Sequence, residues 1–211
     1  CIFGGPFINL FVGKLGKNKS VFITAVFMFI SWLIMSFTQS DFFYLALITR
    51  FFLGFAVGSF SAIIPIYITE LSPNDVIGAY GILHQFGITI GILICYLMGI
   101  WLKWRKITIL SAIPTGLLSV LIWLVPESPV DIKQKEEEIT VKESIFQKKY
   151  LNQILISLSL MFFHQFAGMN AFIANLTDIF NKSQINIDSS VASFIVGLIG
   201  SVAILISSFM I

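Results

Sequence analysis

Two apolar runs of bilayer length meet in one short polar turn between Arg50 and Gly91, and this stretch constrains the rest of the chain. It reads Arg50-Phe-Phe-Leu-Gly54, continues through Gly58 and Ala62 to Pro65-Ile-Tyr67-Ile-Thr-Glu70, turns at Pro73-Asn74-Asp75, and resumes with Leu83-His84-Gln85-Phe-Gly87. A hydrocarbon layer is crossed by about 20 apolar residues in helical form. Inside lipid every backbone amide must bond within its own segment, so such runs are helices and not open strands. Arg50 and Gln85 are expensive at membrane depth, which marks them as functional and turned toward a bundle interior or a wet cavity. Gly54, Gly58 and Ala62 recur every four residues and allow a neighbouring helix to come close. Packing accounts for the glycines but not for Arg50, Glu70 and Gln85.

The same pattern runs through the whole chain. Apolar segments over 2–12, 21–37, 43–69, 77–102, 107–125, 151–180 and 191–211 predict seven spans, the first of them short. A chain that is 57% hydrophobic and 11% charged, with mean hydropathy +0.93, is an all-α membrane protein and not a soluble domain. A net charge of +2 offers no basic face for phosphates, which argues against a nucleic-acid partner. Cys1 and Cys95 form neither a disulfide framework nor a metal cluster, so no metal or cofactor is expected. His84 and His164 have no acid or serine at catalytic spacing, so no enzyme is expected either. The chain opens on Cys1 and closes on Ile211 inside apolar runs, which predicts a fragment of a longer protein.

Lysines and arginines give the orientation. One set of turns carries Lys14, Lys17, Lys19, Lys133, Lys135, Lys142, Lys148 and Lys149; the other carries Lys103, Arg105, Lys106 and Lys182. The richer set is expected on the cytoplasmic side. The organisation expected is 1–125 as one helical unit, 126–150 as a polar cytoplasmic linker, and 151–211 as the start of a second unit.

Four motifs in order resemble the sugar porters of the major facilitator superfamily, the facilitative glucose and trehalose transporters among them. They are Arg50 with its spaced glycines and Pro65-x-Tyr67-x-x-Glu70, Leu83-His84-Gln85-Phe86-Gly87, Pro126-Glu127-Ser128-Pro129, and His164-Gln165-Phe166-Ala167-Gly168-Met169-Asn170. The resemblance covers almost the whole chain. It implies a major facilitator-type bundle, here seven of twelve helices, that moves a hexose or disaccharide by alternating access in a multi-pass, plasma-membrane protein. It also implies sugar ligands at Gln85, Gln165 and Asn170, with His164 in place of a glutamine. Gating acids are implied at Glu70 and Glu127, with Lys17 standing for one arginine of the family pattern. Arg50 matches the arginine that faces an acid in proton-coupled relatives, and the sequence leaves coupling undetermined. A non-transporting sugar sensor and a truncated or decayed copy are the competing readings.

The residue types make chemical sense. Sugar hydroxyls donate and accept, and a carboxamide does both without charge. A neutral amide also avoids the cost of burying an ion beside an uncharged ligand. Gln85, Thr89, Ile92 and Tyr96 share one face of an ideal helix, predicted to look inward, while Gly87, Gly91 and Cys95 form a second face suited to packing. Gln165 and Asn170 are about 140° apart on a regular helix, so they share a cavity only where the helix is interrupted. Gly168 lies between them and permits the break. Asn18, Ile77 and Val130 replace three basic residues of the family pattern, which predicts a weakly latched inner gate.

Overall fold

The computed structural model describes residues 3–38, 43–73, 77–129, 148–183 and 188–209. Most of the linker expected over 126–150, Val130 included, lies outside the described residues. The described chain is a run of helices: α1 (Gly4–Leu15), α2 (Lys17–Ser36), α3 (Phe43–Leu71), α4 (Ile77–Trp101) and α5 (Trp104–Leu121) with a 3-10 turn at Ile122–Leu124. After the linker come α6 (Lys148–Phe166), α7 (Met169–Ala174), α8 (Leu176–Lys182) and α9 (Ser189–Phe209). Among the described residues six membrane-length segments are apolar enough to cross a bilayer, one of them running from Leu151 to Ala174 through a break. The seventh expected span is α1, whose 12 residues rise about 18 Å and fall short of a full crossing.

The expected close approach is realised by α1 at the Gly58 and Ala62 end of the stripe. A β-carbon on Gly4 would stand 2.9 Å from the Ser59 amide nitrogen, and one on Gly5 would stand 3.6 Å from the Ala62 methyl. The fully buried Ser59 hydroxyl donates to the Gly4 carbonyl at 3.2 Å, a bond possible only because neither helix carries bulk there. Packed behind this seam are Ile8, Val21, Ile63, Tyr67 and Ile122, which tie α1, α2, α3 and the 3-10 turn into one core. Helix α2 lies between α3 and α5, and α9 runs along α4.

The contact that α4 makes lies on another face than the one expected to pack. A β-carbon on Gly87 or Gly91 meets nothing within 4 Å among the described residues. Instead, α9 docks on the face that bears Thr89, Leu93 and Tyr96, presenting Gly197 and Gly200 to them. The reason is that the small surface needed for close approach comes from α9. Helix α4 is therefore free to offer its larger side chains at the contact.

Candidate functional site

The break in the sixth apolar segment is the local event that builds the site. Gly168 sits at φ 72, ψ 6, a left-handed conformation that L side chains adopt at a cost. Helix α6 closes with the Ala167 amide on the Phe163 carbonyl at 3.0 Å, and α7 starts afresh with the Phe172 amide on the Gly168 carbonyl at 2.9 Å. The turn swings Asn170 back over the end of α6. Its Nδ2 donates to Gln165 Oε1 at 2.9 Å. Two carboxamides that a straight helix holds apart thus become one hydrogen-bonded pair, and both stay exposed. Each keeps unused donors and acceptors, so the pair can still grip a polyol.

The remaining predicted ligands stand apart from this pair. Gln85 is exposed on α4 and His164 is exposed on the last turn of α6. Among the described residues neither side chain makes a hydrogen bond. Phe163 is 71% exposed and Phe166 75%, so the apolar flanks of the amides are not covered by described protein. Helices α4 and α7 are nevertheless joined directly, for the Tyr96 hydroxyl donates to the Ile173 carbonyl at 2.7 Å.

A second cluster gathers at the bundle end where α2 begins, α3 ends and the 3-10 turn stops. Lys17 Nζ lies 2.8 Å from Glu70 Oε2, with side chains only 9% and 19% exposed. The buried Ser128 hydroxyl donates to the same carboxylate oxygen at 2.5 Å. The expected loss of partners therefore does not reach Glu70, which retains a cation and a hydroxyl. Asn18, expected to stand in place of a charge, is tied into the same cluster by its carboxamide. Its Nδ2 donates to the Val125 carbonyl at 2.9 Å, and its Oδ1 accepts from Tyr67 at 3.3 Å. The Tyr67 hydroxyl also donates to the Pro126 carbonyl at 2.6 Å. Glu127 is exposed beside this cluster. At the opposite end, Arg105 reaches the Thr38 carbonyl at 3.3 Å and stacks on Trp104 at 5.5 Å.

Two cavities flank α3 and neither contains an amide ligand. The larger, about 450 Å³, lies among α1, α2 and α3 and is walled by phenylalanines that include Phe7, Phe11, Phe27, Phe52 and Phe55. The smaller, about 120 Å³, holds Arg50 with Phe3, Phe51, Gly54 and Phe55. Among the described residues Arg50 makes no ion pair. Apart from Ser20 and Thr24 the wall of the larger cavity is apolar, so it offers few groups to orient hydroxyls.

The profile of the "Sugar (and other) transporter" family matches residues 1–132 and again 130–211. The chain belongs to this family. Its relatives include "Facilitated trehalose transporter Tret1" of Apis mellifera ligustica, 28% identical over all of this chain and 48% of that protein. The Bombyx mori protein of the same name is 30% identical over 100% of this chain and 47% of its own. "Sugar transporter ERD6-like 6" of Arabidopsis thaliana is 28% identical over 93% and 47%. The family member described here thus spans about half the length of these relatives. Among solved structures, the proton:xylose symporter XylE bound to 6-bromo-6-deoxy-D-glucose superposes with TM-score 0.80 at 23% identity, covering 99% of this chain and 56% of that one. The inward-open form of XylE from E. coli gives 0.64 at 24% identity, covering 96% and 54%. The fold is the major facilitator helical bundle, present in part, and the protein is a multi-pass membrane member of a sugar transporter family.

Proposed function

We propose that this chain is part of a carrier that moves a glucose- or trehalose-like sugar across the plasma membrane by alternating access. Gln165 and Asn170 are the core of the binding site, and Gln85 on α4 and His164 on α6 are its further ligands. The observation that carries the reading is the Gly168 break with its 2.9 Å Asn170–Gln165 bond. An interrupted helix at membrane depth is tolerated where it borders a cavity, and carrier ligand sites are built on such interruptions. The Lys17–Glu70 pair, backed by Ser128, is the latch of the inner gate. The better superposition on the sugar-bound form than on the inward-open one supports a state closed on that side.

The linker reading gains support from the alignments. The match to the Apis protein runs over 246 positions against 211 residues, leaving 35 positions (246 − 211) without a counterpart here. The family profile divides at 130–132, inside the expected linker. The division of the profile favours 126–150 as the connector between two units.

The test is reconstitution in liposomes with labelled glucose and trehalose, alongside binding read by tryptophan fluorescence. Saturable entry and binding that weakens at least tenfold in a Gln165→Ala, Asn170→Ala double variant are expected. Binding without entry identifies a sensor. Equal binding by the double variant overturns the site.

A further inference from the structure

We infer that Tyr96 is a positioning residue that clasps the broken span, holding α7 to α4 and setting how readily Asn170 swings away from Gln165. This deepens the carrier reading and rests on it for the link to sugar. Inside a continuous helix the Ile173 carbonyl would be taken by the amide four residues on. Here α7 ends at Ala174, and Asn175 leaves helical geometry at φ −108, ψ 11. The Asn175 amide is shared among the Ala171, Phe172 and Ile173 carbonyls, so the Ile173 oxygen keeps room for a stronger donor. Tyr96 supplies that donor at 2.7 Å from across the gap between α4 and α7.

The ring is seated as well as the hydroxyl. A β-carbon on Gly197 of α9 would stand 3.5 Å from Tyr96 Cδ2 and 3.3 Å from Leu93 Cδ1. Any larger residue at 197 therefore presses on the ring that carries the donor. Helix α7 is six residues long, bounded by the Gly168 turn and the Asn175 interruption, so it has a swivel at both ends. Ile173 lies three residues after Asn170, on the adjacent position of the same helix face. A bond at Ile173 thus fixes the turn from which Asn170 reaches Gln165.

The experiment is hydrogen–deuterium exchange of the whole chain in lipid nanodiscs, without sugar, comparing the protein with Tyr96→Phe. Phenylalanine keeps the ring and removes only the donor. Amides over 171–176 are expected to exchange about fivefold to tenfold faster, the loss of one ordinary hydrogen bond. Amides of α2 and α5 should not change. Gly197→Leu, which displaces the ring without touching the hydroxyl, should speed the same segment. Unchanged exchange over 171–176 in Tyr96→Phe overturns the clasp, and so does an increase that spreads evenly through α2 and α5. Where glucose or trehalose binds, its dissociation should quicken in Tyr96→Phe by a similar factor. If neither sugar binds the unaltered protein, the carrier reading falls, while the sugar-free comparison still decides the clasp.

Discussion

Replacing Gly168 by alanine tests the site through its backbone and not through its ligands. Gly168 sits at φ 72, and its side-chain position is open, with nothing within 4 Å among the described residues. Steric crowding is therefore not the issue; the whole effect comes from the torsion. An L residue held in the left-handed region costs about 1–2 kcal/mol. The competing straight helix also gains, because alanine is a better helix former than glycine by about 1 kcal/mol. Together these shift the balance between broken and straight segments by about 2–3 kcal/mol, roughly 30- to 160-fold, toward the straight form. In that form Asn170 and Gln165 part, and the apparent sugar affinity falls with the fraction of broken segment remaining. Asparagine tolerates the left-handed region better than alanine, so Gly168→Asn should fall between the two. Equilibrium binding of glucose and trehalose to the three proteins in nanodiscs gives the order glycine, asparagine, alanine. Equal affinity in all three, with equal thermal stability, would refute the argument that the left-handed turn sets the geometry.

Lys17→Met leaves Glu70 poorly solvated beside Ser128; a penalty between surface and fully buried pairs, about 2 kcal/mol, should appear as a lower unfolding midpoint in detergent. An unmoved midpoint would show that the pair adds nothing. Tyr67→Phe orphans the Pro126 carbonyl and one oxygen contact of Asn18, so about 1–2 kcal/mol should be lost in the same assay. Gly4→Val forces α1 off the Ser59 backbone and should cost about 1–3 kcal/mol of stability, with the Ser59 bond broken. Wild-type stability of that variant would mean α1 is not seated where it is described.

Much of this was readable from residue type and order, and the reasons for the gaps are physical. The helices were legible because lipid permits few alternatives for long apolar runs. The break was legible because Gln165 and Asn170 could meet only across a disrupted Gly168. The Gly54–Gly58–Ala62 stripe announced a close helix contact without naming α1 as the partner. Other features were not legible because their acceptors are backbone carbonyls, which every residue has. Tyr96 on Ile173, Tyr67 on Pro126 and Asn18 on Val125 are of this kind. Asn18 was read as a lost charge, whereas its carboxamide found neutral work in the same place. The contact of α4 with α9 was not legible because a small-residue stripe says that close contact is possible, not which helix supplies it. Trp32 gave no signal at all, and its Nε1 is buried with no acceptor among the described residues.

The meeting of α4 with α9 carries nearly all of the described contact between the first five helices and those after the linker. One side of that seam is smooth at Gly197 and Gly200. Small residues on one helix let the other come close, and here Leu93 and Tyr96 fill the room that Gly197 leaves. Bulk added at Gly197 would therefore press first on these two side chains and widen the seam that joins the two parts of the chain.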